Sequence, residues 1–331
     1  MRILITGSAG FVGAHFVEHF LSKTDWDIIG VDSFRHRGDS LRVQHLKSKR
    51  YQIHTHDLTS PFSYRQKQQL GKIDYILNLA SMSHVDTSIT DPVGFVENNV
   101  KLQLNILELA RDKGVKAFQQ LSTDEVFGPS IKGHNHKEWE PTRPSNPYAA
   151  SKTAQDAICY SYWRTFSVPV QIVHSMNMFA ERQDIEKFIP MLMSRISKGE
   201  VVTIHGQPHD IGSRYYIHAR NLADAFLFLL GNKKPTMYKD LTSEIVDLDK
   251  YNVVGDRRID NLQMAKLVAE FIGKDLKYEF EDFHKTRPGH DRDYGLNGDK
   301  IKALGWAPPV PFLDSLKKTV DWTLANPEWM L

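Results

Sequence analysis

Short apolar runs alternate with longer stretches of helical period along the first half of the chain. Ile3-Leu4-Ile5 is brief, apolar and β-branched, the pattern of a strand buried on both faces. A glycine-rich turn follows, and residues 14–21 then carry a helical pattern. Residues 28–32, 51–58, 75–80, 117–121 and 168–173 read as five further strands. Residues 95–113 set Val96, Val100, Leu104, Leu107 and Ala110 among their apolar positions and run up to Gly114, a helix stop. A second long helix starts near Tyr148 and continues through Ala154, Ile158 and Tyr162. Strand alternating with helix predicts a parallel sheet with helices on both faces.

Beyond residue 174 the alternation loosens. Helices are predicted over 188–198, 222–230, 262–272 and 313–325, and strands over 201–205, 215–218 and 250–254, the last returning to the main sheet. No internal repeat or low-complexity linker interrupts the chain, so the later region is expected to pack on the first.

Composition narrows the possible partners. With 41% hydrophobic and 25% charged residues in 331, the chain is an ordinary globular one, long enough for a sizeable core. A net charge of +2 without a long basic run argues against nucleic acid as a partner and leaves an anionic small molecule open. Cys159 is the single cysteine, which excludes an intramolecular disulfide and a thiolate zinc site. No apolar run reaches membrane-spanning length, and the first strand breaks at once into Gly7 and Gly10 rather than extending as a leader, so no membrane and a cytoplasmic location are expected.

Candidate chemistry begins at that break. Gly7, Gly10 and Gly13 follow a strand and open a helix, where glycines admit a pyrophosphate close to the backbone and the helix end offers free N–H groups. Asp32 ends the second strand about twenty residues later, placed to bond ribose hydroxyls and to disfavour a 2′-phosphate. NAD is therefore expected over NADP, although Arg35 and Arg37 would soften the preference and Asp32 also suits a plain turn. Asp57 would face an adenine, and small polar residues 81–86 end the fourth strand, where ligands bind in such sheets. His54 and His56 share a strand face without completing a metal set, and His134 and His136 read as solvated loop, so no metal is expected.

The most discriminating stretch is Ser122-Thr123-Asp124-Glu125 at the end of the fifth strand, with Tyr148 and Lys152 one helical turn apart downstream. A lysine ammonium near a tyrosine favours the phenolate and a nicotinamide cation adds to the effect, so Tyr148 would take a proton from a sugar hydroxyl while hydride leaves the same carbon. Oxidation needs only Tyr148 and a hydroxyl such as Thr123. Two further carboxylates suggest two further proton transfers, with roles set by environments that push their pKa values apart. Taken alone, Asp124-Glu125 equally fits an acidic turn.

These motifs resemble the extended short-chain dehydrogenase/reductase family, and within it the nucleotide-sugar 4,6-dehydratases. The likeness runs through residues 6–13, Ser83-His84-Val85-Asp86, residues 122–128, Asn146 to Lys152, Glu186-Lys187-Phe188-Ile189-Pro190 and Arg287-Pro288-Gly289-His290-Asp291-Arg292. It implies an α/β, Rossmann-like, doubly wound sheet with a smaller α/β substrate-binding region. Residues 1–174 would form the NAD-binding domain, with returning segments near 215–254, and residues 175–214 and 255–331 the nucleotide-sugar region.

The resemblance also implies roles. Tyr148 would start oxidation at C4 with Thr123 on the same hydroxyl, and Lys152 would hold the ribose. Glu125 would take the C5 proton, Asp124 would protonate the C6 hydroxyl as water leaves, and hydride taken at C4 would return at C6. NAD would lie along Gly7, Gly10, Phe11, Val12, Gly13, Asp32, Asp57, Leu58, Leu79, Ala80, Ser81, Asn98 and Ser122, meeting Tyr148 and Lys152. Ser83, His84, Asp86, Thr123, Asn177, Lys187, Arg214 and Arg292 would bind a nucleotide-diphosphate sugar, a dTDP- or UDP-hexose. A homodimer through helices 95–113 and 148–165 is implied as well.

The chain departs from the pattern at Ser81-Met82, where these dehydratases carry Ala-Glu. It departs again at Phe127, at 176–180 and at 212–214. These differences leave the sugar open, and they admit elimination across C5 and C6 without the final reduction. Epimerases and decarboxylases of the same scaffold are rivals that usually lack the Asp of Thr-Asp-Glu. A non-catalytic NAD-sensing protein would not need the full Thr123, Asp124, Glu125, Tyr148 and Lys152 set.

Overall fold

The computed structural model describes residues 1–131, 133–238, 247–281 and 293–330. The first half alternates strand and helix: β1 (Arg2–Thr6), α1 (Phe11–Lys23), β2 (Asp27–Asp32), β3 (Tyr51–Thr55), α2 (Tyr64–Leu70), β4 (Tyr75–Asn78), α3 (Val85–Thr90), α4 (Pro92–Lys113), β5 (Ala117–Thr123), α5 (Pro147–Phe166) and β6 (Val170–Ser175). Then come β7 (Asn177–Phe179), α6 (Phe188–Lys198), β8 (Val202–Gln207), β9 (Asp210–Ile211), β10 (Ser213–His218), α7 (Ala219–Asn232), β11 (Asp249–Val253), β12 (Arg258–Asp260), α8 (Asn261–Ile272), β13 (Tyr278–Glu281), α9 (Asp299–Ala303) and α10 (Phe312–Ala325).

The main sheet has seven strands in the order β11-β6-β5-β4-β1-β2-β3, every pair parallel. The order reverses between β1 and β4, and in open α/β sheets ligands bind outside the strand ends at such a switch point. One face is covered by α4 and α5, whose Ile106, Leu107 and Trp163 pack with Phe118 and Ile172. The other is covered by α1 and α7, whose Phe16 and Phe226 meet ring to ring at 5.0 Å above Ile3 and Ile5.

Local chemistry sets the helix ends. α4 begins three residues before the sequence expectation because Asp91 caps it, accepting from the Gly94 N–H at 3.0 Å, with Pro92 in the first turn. It stops at Gly114, whose φ of 58° lies in the left-handed region. α5 repeats the device with Asn146 as cap and Pro147 behind it.

The strand predicted over 215–218 does not return to the main sheet. As β10 it pairs in parallel with β7 and antiparallel with β12. The returning elements are α7, packed against α1, and β11, paired with β6. A third small sheet, β13-β8-β9, lies beside a separate core in which Leu192, Met193, Met264, Val268 and Leu316 pack between α6, α8 and α10. No helix among the described residues is long and apolar enough to cross a membrane.

Candidate active site

The turn after β1 is shaped by what its glycines exclude. Gly7 has φ +64°, and a Cβ there would stand 3.0 Å from the Ala80 Cα. A Cβ on Gly13 would fall 2.0 Å from the Gly7 carbonyl oxygen. The first turn of α1 thus packs directly on the turn's backbone, and no side chain caps this helix end. Its N–H groups are left for an anionic ligand. Thr6 secures the neighbouring strand end: its hydroxyl donates to Asn78 Oδ1 at 2.6 Å and accepts from the Leu79 and Ala80 N–H groups at 3.0 Å each.

A cavity of about 420 Å³ opens over this switch point. Gly7, Gly10, Phe11, Val12, Gly13, Asp32, Asp57, Leu58, Leu79, Ala80, Ser81 and Asn98 all line it, as do Ser83, His84 and Lys187. Asp32 holds its own loop as well: Oδ2 accepts from the Ala9 N–H at 2.9 Å and Oδ1 from the Phe34 N–H at 3.0 Å. Burial would raise the Asp57 carboxyl, but the Thr59 N–H and hydroxyl and the Arg35 guanidinium hold it below its usual range. The arginines that would soften the NAD preference are engaged. Arg35 pairs with Asp57 at 2.5 Å and Arg37 with Glu186 at 2.5 Å. The second pair ties the loop after β2 to the segment before α6 across the cavity rim.

The Thr123-Asp124-Glu125 group sits where β5 turns into a 3-10 helix, Asp124–Phe127. Thr123 ends the strand and caps that turn, its hydroxyl accepting from the Glu125 N–H at 3.3 Å and lying 3.0 Å from Asp124 Oδ1. Thr123 also hydrogen-bonds Tyr148. The two carboxylates have different surroundings. Asp124 is buried, with its Oδ2 unpartnered among the described residues, whereas Glu125 Oε2 accepts from Asn146 Nδ2 at 3.0 Å. Burial and the adjacent Glu125 push Asp124 up to about 7, against the Thr123 hydrogen bond and the Arg214 charge.

Lys152 alone does not bring Tyr148 to the phenolate. Burial raises the Tyr148 hydroxyl well above its ordinary value, and Glu125, Asp124 and Asp156 add to it, outweighing the Thr123 hydrogen bond. Lys152 is buried and donates to the Leu121 carbonyl at 2.8 Å and to Gln155 Oε1 at 2.5 Å. Burial lowers it to about 8, with Asp156 opposing. Burial and then the carboxylates hold the proton on Tyr148, so a cation arriving above it would be needed to bring that proton within reach.

Thr123, Asp124, Glu125, Tyr148 and Lys152 stand beside the cavity rather than in its lining. Phe95 bridges the two, lining the cavity and meeting the Tyr148 ring edge-on at 6.2 Å. Asn99 secures the same corner: it holds the Met82 backbone at both N–H (2.9 Å) and carbonyl (3.0 Å) and donates to Ser151 Oγ at 2.8 Å.

Other expected residues lie differently. Ser122 turns from the cavity and donates to Asp156 Oδ2 at 2.8 Å. Asp86 is in the first turn of α3, outside the cavity lining. Asn177 opens β7 opposite Tyr216, and Arg214 on β10 lies 5.5 Å over the Tyr294 ring with its charge felt at Asp124. Arg292 and residues 287–292 lie outside the described residues. His54 lies on β3, and His56 is past it, its Nδ1 3.1 Å from Gln66 Nε2. His134 and His136 are not simply solvated: both ring nitrogens meet Glu140 Oε2 at 2.8 Å, and His136 stacks on Phe127 at 5.4 Å. Their ligand atoms lie within 4.8 Å of one another, and the shared hydrogen bonds account for that closeness. The sequence reading passed over Asn146, Asn99 and Asp156 as site residues. An Asn directly before Pro147 was a readable cap signal for the first.

The family model described as GDP-mannose 4,6 dehydratase matches residues 4–319. The dTDP-D-glucose 4,6-dehydratase of Mus musculus is 30% identical over 98% of this chain and 89% of its own length. The dTDP-glucose 4,6-dehydratase 1 of Escherichia coli (strain K12) is 30% identical over 100% of this chain and 94% of its own. Among solved structures, the dTDP-glucose 4,6-dehydratase of Streptomyces venezuelae with NAD bound superposes with a TM-score of 0.87 at 29% identity, covering 99% of this chain and 98% of that one. The UDP-glucose 4-epimerase of Thermus thermophilus with NAD gives 0.82 at 27% identity over 97% and 98%.

Proposed function

The chain belongs to the nucleotide-sugar 4,6-dehydratases of the extended short-chain dehydrogenase/reductase family, lyases that use NAD to dehydrate a nucleotide-activated hexose, and we propose how its residues divide that work and which nucleotide it takes. The glycine turn, Asp32 and the cavity at the switch point fit NAD: two glycine positions have no room for a Cβ, and the bare helix end faces the site. Bound NAD supplies the acceptor of hydride from C4 and its donor to C6.

Tyr148 and Thr123 bond the C4 hydroxyl, and Tyr148, which Lys152 and a bound nicotinamide cation would hold as the phenolate, takes its proton as the C4 ketone forms. The ketone acidifies C5–H, and Glu125, supported by Asn146, removes that proton. Asp124 gives its proton to the C6 hydroxyl, the C6–O bond breaks, and water leaves. Hydride then joins C6, and Glu125 returns a proton to C5. The observation that carries this reading is the contrast between the two carboxyls: Asp124 is pushed up to about 7 and so keeps a proton to give near neutral pH.

Residues 1–174 with α7 and β11 serve the cofactor, and the remaining segments hold the sugar nucleotide. Ser83, His84, Lys187, Asn177, Arg214 and Arg292 make up its site. The nucleotide is dTDP, with UDP second, a choice supported by the relatives' names. The reading includes a cytoplasmic setting and a homodimer through α4 and α5, on which Leu104, Tyr160 and Phe166 are exposed. Incubation with dTDP-, UDP-, GDP- and CDP-glucose, read by mass, tests the nucleotide. Loss of one water from dTDP-glucose first supports it, and turnover of only GDP- or CDP-glucose contradicts it.

A further inference from the structure

Behind Tyr148 and Lys152 lies a polar set that the reaction scheme leaves unused. Ser122 on β5 and His174 on β6 stand opposite each other in the sheet register, and both reach one carboxylate on α5. Ser122 Oγ donates to Asp156 Oδ2 at 2.8 Å, and His174 Nε2 lies 3.3 Å from the same oxygen. Ser122 and His174 are buried, and Asp156 Oδ1 and His174 Nδ1 are buried without a hydrogen-bond partner among the described residues.

Asp156 is one helical turn beyond Lys152 and two beyond Tyr148, on one face of α5. Both hydrogen-bond acceptors of the Lys152 ammonium, the Leu121 carbonyl and Gln155 Oε1, are neutral. Burial keeps the Cys159 thiol protonated, so it brings no charge. Glu125 and Asp124 face Tyr148 from the 3-10 turn. Asp156 is therefore the carboxylate that offsets the buried Lys152 cation from behind.

We propose that Asp156, held by Ser122 and His174, is a positioning residue that keeps Lys152 a cation beneath Tyr148. The inference rests on the roles of Tyr148 and Lys152 given above. A negative charge near both groups favours their protonated forms, so its removal lowers both proton affinities. Asp156→Asn in the full chain with NAD and dTDP-glucose is expected to move both limbs of the pH–rate profile to lower pH by about one unit. Asp156→Glu restores them. The ¹⁵N resonance of the Lys152 side chain, in lysine-labelled protein, is expected to titrate at correspondingly lower pH in the Asn variant.

A purely structural role would lower the rate at every pH with the limbs unmoved. Unmoved limbs together with an unchanged Lys152 titration, in a folded variant, overturn the proposal. If Asp156→Asn does not fold, Ser122→Ala and His174→Gln each remove one group holding the carboxylate. Both are expected to give smaller shifts in the same direction, and no shift in either overturns it. If the wild-type chain dehydrates no sugar nucleotide, the functional reading fails, while the Lys152 titration still decides the role of Asp156.

Discussion

Asp124 and Glu125 are neighbours in sequence and face opposite demands. Asp124 is buried with one oxygen unpartnered among the described residues, and Glu125 accepts from Asn146. An Asp raised from its ordinary value to about 7 binds a proton in the folded state that the unfolded chain has already released. Between those two values stability therefore falls as pH rises, and above about 7 the deficit is complete. Asp124→Asn removes the titration. The variant is expected to lose the acid for the C6 oxygen, lowering the dehydration rate by about 10²-fold or more. It is also expected to gain stability on the order of 4 kcal/mol at pH 8, with little gain near pH 4. Thermal melts at the two pH values and product mass check both outcomes, and full-rate dehydration would remove Asp124 from the mechanism.

At the scale of elements, the site depends on one close approach, α1 on the turn that precedes it. A methyl group on Gly13 would fall 2.0 Å from the Gly7 carbonyl oxygen, which is backbone and cannot swing aside. Gly13→Ala is expected to displace the first turn of α1 and to lower NAD retention by at least tenfold, measured as nucleotide released on denaturing the purified protein. Wild-type retention would contradict the placement of the pyrophosphate at that turn. This part of the site was legible because the constraint is local: a strand, three glycines and a helix are all adjacent in sequence. β7 and β12 were not legible, since three-residue strands carry no period of their own and exist by pairing with β10. α2 was missed for another reason. Its Ser63–Gln66 capping box is readable, but only Leu70 is buried, so no apolar stripe marks it.

Across the whole molecule, the parallel sheet followed from strand alternating with helix in the first half of the chain, where strands such as β1 and β4 are short, largely apolar runs. The destination of 213–218 did not, because a half-buried strand fits either sheet and only tertiary pairing decides. The same limit applied to Tyr148. Its lysine neighbour was visible one helical turn away, whereas the three carboxylates that set its field come from β5's end and from farther along α5. The fold brings the cofactor turn, the carboxyl pair and Tyr148 to one end of the sheet, as a closed redox cycle requires: what leaves C4 must return at C6 without leaving the protein. The most direct test is to give the protein as purified, with no added NAD, dTDP-glucose deuterated at C4, and to locate the label in the product by mass and NMR. The account predicts a 4-keto product that has lost one water and carries the deuterium at C6. A product with its water retained, or with the deuterium lost to solvent, would contradict it.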